Sequence, residues 1–162
     1  MDTHPTGNRD RHVSEKGNSM IRKLWIIALL LAISCGSANE KLPRIRYGEE
    51  TCDHCRMIIS EKRFAAAYKT ESGDLRKFDD LGCAFLHREA QAETTGQFWG
   101  YDYEETAWLD VTQAFFVHSS DLPTPMGYGI AALTTKEKAE DLAERVHGQV
   151  LPLDQLQQIL QP

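Results

Sequence analysis

Phe64-Ala65-Ala66-Ala67-Tyr68-Lys69-Thr70, Ser72-Gly73-Asp74, Leu75-Arg76-Lys77-Phe78 and Asp79-Asp80-Leu81-Gly82-Cys83-Ala84-Phe85 follow one another almost without a gap, and their reading decides the fold. The first run is apolar and aromatic, ends at turn residues, and reads as a strand. Ser, Gly and Asp supply the turn, and Leu75 to Phe78 supply a hairpin partner. Asp79 and Asp80 offer N-caps for a helix in which Leu81, Ala84, Phe85 and Arg88 recur at helical spacing, with Cys83 in the first turns. Past Thr94-Thr95-Gly96, the aromatic run Phe98 to Tyr103 reads as a further strand. The order is strand, strand, helix, strand.

The same order recurs downstream. Ala114-Phe115-Phe116-Val117-His118 and Tyr128 to Leu133 read as strands. Thr134 and Thr135 cap a helix with Ala139, Leu142, Ala143 and Val146 on one face, Gly148 ends it, and Gln149-Val150-Leu151 extends again. The expected fold is α+β, with two ββαβ units in tandem over about residues 60–105 and 112–153 in one compact domain. Asp154 to Leu160 adds a short last helix. Between the second pair of strands lies Ser119-Ser120-Asp121-Leu122-Pro123-Thr124-Pro125-Met126-Gly127-Tyr128-Gly129, whose prolines and glycines predict an irregular surface loop. Met126 sits there with no apolar neighbour at any regular spacing, unlike a core methionine.

Chemistry concentrates in Cys52-Asp53-His54-Cys55-Arg56-Met57, which packs two thiols, an imidazole and a thioether into six residues. If this stretch is extended, the sulfurs of Cys55 and Met57 point to one side of the chain. A thiolate beside a thioether selects Cu(I), because a methionine sulfur offers almost nothing to Zn(II), Mg(II) or Ca(II). Cys-x-x-Cys by itself also serves zinc sites, thiol–disulfide exchange and plain disulfides. Cys52, Cys55, Cys83 and His87 would make a tetrahedral zinc set, Cys83 and His87 lying four apart on one helical face. Against that, Cys83 stands among Leu81, Ala84 and Phe85, where a free cysteine behaves as a small hydrophobic residue. Met57, followed by Ile58 and Ile59, could equally belong to a strand core. His54 and His118 read as ordinary surface or structural histidines, and Asp102 to Glu105 as a solvated turn.

The N-terminal part carries an address. Residues 1–19 are polar, without apolar periodicity, and read as an extension from an upstream start codon, with Met20 the expected initiator. Arg22 and Lys23 form a positive n-region. Leu24 to Ile33 is an apolar run shorter than the roughly 20 residues of a transmembrane helix, so 20–34 reads as a signal peptide. Cleavage before Cys35 would leave that cysteine lipidated, with 35–46 as the lipidated cysteine and its tether, although Ala32 stands where leucine is commonest in such signals. The protein would then sit on the periplasmic side of a bacterial membrane. The formal net charge is −6, and the acidic excess grows beyond residue 34, which argues against nucleic-acid binding. With Cys35 used for lipid, Cys52, Cys55 and Cys83 remain, an odd number that suits metal or exchange chemistry better than a complete disulfide framework. No catalytic triad, supported carboxylate dyad or phosphate-binding glycine loop is present, so no enzyme is expected.

Taken together, Cys-x-x-Cys-x-Met-x-Ile from Cys52, Lys77-Phe78-Asp79-Asp80-Leu81-Gly82-Cys83, Trp108-Leu109-Asp110-Val111, Ala114-Phe115-Phe116-Val117 and Thr124-Pro125-Met126-Gly127-Tyr128-Gly129 resemble the NosL family, copper-binding lipoproteins of nitrous-oxide reductase assembly. The resemblance covers nearly all of 47–153 and marks 47–160 as a copper-binding domain. It implies a periplasmic, lipid-anchored Cu(I) chaperone supplying the copper–sulfide centre of nitrous-oxide reductase together with an ABC-type membrane complex. It also implies two ββαβ units. Carried over by position, Cys55, Met57 and Met126 are the expected copper ligands, with Cys52 beside them. The polar extension before Met20 departs from the family pattern.

Overall fold

The computed structural model describes Met1 and residues 42–104 and 107–160. The upstream extension, the signal peptide, the lipidated Cys35 and most of the tether lie outside the described residues. Lys41–Pro162 forms one compact unit, and the elements of the fold all belong to it.

The expected hairpin forms. β1 (Ala66–Thr70) pairs antiparallel with β2 (Leu75–Phe78), Ala66 opposite Phe78 and Lys69 opposite Leu75, and Gly73 takes a φ of 96° in the turn. Helix α1 (Leu81–Ala90) starts from Asp80, whose side chain accepts the Gly82 N–H. β3 (Thr95–Tyr101) then returns antiparallel on the other flank of β1, and a short β4 (Trp108–Asp110) extends the sheet to the order β2-β1-β3-β4. The second half repeats this path. β5 (Phe115–His118) pairs with β6 (Ile130–Leu133), α2 (Lys136–Arg145) follows from the cap Thr135, and β7 (Gln149–Leu151) closes the order β6-β5-β7. A last helix, α3, runs Leu153–Leu160.

Two local expectations give way and one short strand is added. Phe64 belongs to a 3-10 turn, Lys62–Phe64, so the first strand starts at Ala66. β4 was not expected. Asp102 is fully buried rather than solvated, because its carboxylate accepts the Glu104 N–H and the Thr134 hydroxyl and so joins the first half of the chain to the second.

The second sheet is buried on both faces, and its strands show why. Phe116, Ile130 and Ala132 join Tyr68, Phe78, Leu81, Phe85, Phe98 and Leu156 in one core. The alternate residues Val117, Ala131 and Leu133 pack with Leu122 and with Ala139, Leu142 and Ala143 of α2. Successive strand residues face opposite sides, so β5 and β6 form a wall shared by two cores. Full burial of one such aliphatic or aromatic side chain contributes about 1.5–3 kcal/mol. The first core thus draws on both ββαβ units.

Candidate metal centre

Residues 48–59 fold back on themselves upstream of the first sheet. Gly48 N–H donates to the Ile59 carbonyl at 2.8 Å, Ile59 N–H to Glu50 at 2.9 Å, and Cys52 N–H to Met57 at 2.8 Å. At the tip, Arg56 N–H reaches the Cys52 carbonyl at 3.1 Å and Arg56 takes a φ of 66°. The stretch from Cys55 to Met57 is therefore not extended, and the alternation that would point both sulfurs one way does not apply there. Met57 is 59% exposed, outside any core.

The tip is fastened to the free edge of β2. Asp53 N–H donates to the Lys77 carbonyl at 2.9 Å, and Lys77 N–H donates to Asp53 Oδ2 at 2.7 Å. Lys77 Nζ reaches Glu50 Oε2 at 2.8 Å. These contacts cover an edge that would otherwise offer unpaired backbone groups. They also bring Cys52 and Cys55 to the start of α1, where Cys83 stands.

The sulfurs of Cys52, Cys55 and Cys83 all lie within 4.8 Å of one another. Among the described residues they form the single group of three or more cysteine, histidine or carboxylate donors so gathered. All three are free thiols; Cys52 and Cys83 are fully buried and Cys55 is partly exposed. Three thiolates at about 2.3 Å from one ion would be about 4 Å apart, so the group needs little rearrangement to share a cation.

The thiols do not ionise alike. A hydrogen bond from the Cys83 thiol, helped by backbone N–H groups of Cys55, Asp79 and His54, pulls the Cys52 thiol down to about 5 against the effect of burial. Donating that hydrogen bond, together with burial, pushes Cys83 up. Burial pushes Cys55 up as well. The shifts favour the thiolate at Cys52 and the protonated thiol at Cys55 and Cys83, a partly ionised group of soft donors that suits a soft cation.

Of the residues expected from the sequence, Cys52 and Cys55 are brought together. Met57 is tied to them through its backbone: its carbonyl accepts from Cys52, and its N–H bonds to the Cys55 sulfur. Met126 occupies the second central position of a turn, Thr124 to Gly127, closed at 3.0 Å, and its side chain is 37% exposed. His87 does not join the thiols. Its ring packs 5.4 Å from Phe78 and 5.9 Å from His54, so the fourth member of the tetrahedral zinc set is not gathered with the other three. Cys83 is a core residue, as helical spacing suggests, yet its sulfur also completes the cluster. The clue available in the sequence was its place in the first turn after Asp80, beside the alternative set that included it.

A family model described as NosL matches residues 46–160. No curated protein matches the chain. Among solved structures, the chain resembles the crystal structure of the copper chaperone NosL from Shewanella denitrificans with a TM-score of 0.64. Identity is 18%, over 71% of this chain and 95% of that one. At that identity the likeness speaks to the fold.

Proposed function

The chain belongs to the NosL family, and from that membership we propose that it carries Cu(I) as cargo, holding it between Cys52, Cys55 and Cys83 with the thioethers of Met57 and Met126 on the exposed side. The observation that carries the reading is the three-sulfur group, two of its members fully buried and one open to solvent. Soft sulfur donors favour Cu(I) over harder ions, and because Cu(I) takes no more than four of these five sulfurs at once, a thioether on the exposed rim can give way to a ligand from an acceptor. Copper then passes by ligand exchange, one sulfur released as the next binds, without entering solution. Thioethers bind more weakly than thiolates and so ease release.

The setting rests on the family resemblance and on the sequence before residue 42. We place the chain on the periplasmic side of a bacterial membrane, anchored through a lipidated Cys35. Its copper would go to the copper–sulfide centre of nitrous-oxide reductase, with an ABC-type membrane complex as partner. The protein acts as a carrier and not as an enzyme.

Anaerobic titration of the full chain with Cu(I) and, separately, Zn(II), each against a competing chelator, tests the metal. Cu(I) should bind at one equivalent and resist chelator concentrations that strip Zn(II). Firm Zn(II) binding with indifference to Cu(I) would sink the proposal. Cell fractionation with and without globomycin tests the anchor; a protein free in the periplasm in both cases removes it.

A further inference from the structure

Asp80 is fully buried, and its carboxylate is shared between two distant parts of the chain. Oδ1 accepts the Gly82 N–H at 2.8 Å, the ordinary bond of a helix cap. Oδ2 accepts the Met126 N–H at 3.2 Å, and the Thr124 hydroxyl donates to the same carboxylate. Thr124 Oγ1 in turn accepts the Gly129 N–H at 3.2 Å. Capping needs only one oxygen. The second reaches a turn 46 positions along the chain, and burying a carboxylate is costly unless such bonds compensate it.

A second contact holds the same two segments together. The Tyr128 ring lies directly on Gly82, where an added Cβ would come within 2.3 Å of ring Cγ and 2.7 Å of Tyr128 Cβ. Glycine at 82 is thus required by close approach rather than by backbone conformation. Gly82 immediately precedes Cys83, so the turn bearing Met126 is seated on the first turn of the helix that supplies a copper thiol.

We infer that Asp80 is a positioning residue for the copper site, its carboxylate clasping the Met126 turn to the N-terminal turn of α1 so that thioether and thiols act as one ligand set. The inference rests on the Cu(I)-carrier reading and adds to it a part that touches no metal. Asparagine cannot replace Asp80. It offers one acceptor oxygen, and its NH2 would face either the Gly82 or the Met126 N–H, donor against donor.

The test is a double-mutant cycle on the full chain, read by Cu(I) chelator competition under anaerobic conditions. Asp80→Asn should weaken Cu(I) binding about 10- to 100-fold, the usual effect of losing an outer partner of a metal ligand. Met126→Ala should do the same, and Asp80→Asn combined with Met126→Ala should be no worse than Met126→Ala alone. X-ray absorption of the Cu(I)-loaded Asp80→Asn protein should show one sulfur neighbour fewer than the parent, the same loss that Met126→Ala produces. Losses that add in the double variant, or full-strength binding in Asp80→Asn, would overturn the inference. If Asp80→Asn does not fold, Gly82→Ala takes its place in the same cycle, displacing the turn by steric contact without altering any polar group. Cys52→Ser separates the two levels. If it leaves Cu(I) binding intact, the copper site itself is wrong; if it abolishes binding while Asp80→Asn and Gly82→Ala are neutral, only the clasp falls.

Discussion

A cysteine pulled down to about 5 beside two that are pushed up has a consequence for the protons that leave when metal arrives. A thiol lowered to about 5 by the Cys83 hydrogen bond and by backbone N–H groups favours the thiolate at pH 7. Cys55 and Cys83 keep their protons until a cation replaces them. Cu(I) binding through all three sulfurs should therefore release about two protons and not three, and affinity should rise as pH is raised from about 6 to 8, since the ligands must lose protons to bind. Proton release into weak buffer during anaerobic titration measures this. Release of three would mean that Cys52 is not ionised beforehand, and release of one that a sulfur stays out of the site. Met126 stands out because a methionine without apolar neighbours at regular spacing has no core to join, and its exposure agrees with a place outside the core. Cys83 is ambiguous in the sequence because a cysteine of a thiol cluster at a core-facing helical position leaves the same pattern as a small hydrophobic residue.

Elements were legible where a period or a cap announced them. The β1–β2 hairpin, α1 after Asp80, α2 after Thr135 and the β7 strand each had such a signal, whereas the three residues of β4 are too few to show one. Between residues 52 and 57 an alternation argument had no strand to act on, because hydrogen bonds across the loop decide its shape. Gly129 has a φ of 64°, and a Cβ there would lie 2.0 Å from the Ser119 carbonyl oxygen, while its own carbonyl accepts the Ser119 N–H at 2.9 Å. Gly129→Ala should cost about 2 kcal/mol or more in urea unfolding, from backbone strain and the clash together. An unchanged midpoint would show that the loop readily shifts. Glu93, between α1 and β3, takes Arg76 of β2 at 2.6 Å and the Tyr68 hydroxyl of β1 at 2.5 Å, and Arg76 holds its carboxyl below the usual range. A lowered folded value means the stabilisation is full above the unfolded value of about 4.3 and disappears as pH falls through the folded one. Glu93→Gln should cost about 1 kcal/mol at pH 7, discounted because Arg76 is one-third exposed, with the gap to the parent closing below about pH 4. A gap that persists in acid would assign the effect to packing.

At the scale of the molecule, sequence reading recovered two ββαβ units but not how they are joined, because periodicity shows which face is apolar and not what covers it. The joint is Phe116, Ile130 and Ala132 packed among residues of the first unit, with Leu156 of α3 beneath them. The proposed ligand set would cross the same joint, since the three thiols precede β3 while Met126 follows β5. Both observations predict one cooperative unfolding transition. In a Trp25→Phe chain, fluorescence of Trp99 and Trp108, both in the first sheet, and hydrogen exchange of β6 amides, reporting on the second, should give the same midpoint and the same free energy. Leu156→Ala, at a fully buried position, should lower both together by about 2–5 kcal/mol. Copper should raise both together as well. A ligand held only by the native state adds about 2.7 kcal/mol when free Cu(I), set by a chelator buffer, stands at about 100 times its dissociation constant. If copper raised the first-sheet midpoint and left β6 behind, the two sheets would be separate folding units, and a thioether from the second would have no fixed place beside the thiols of the first.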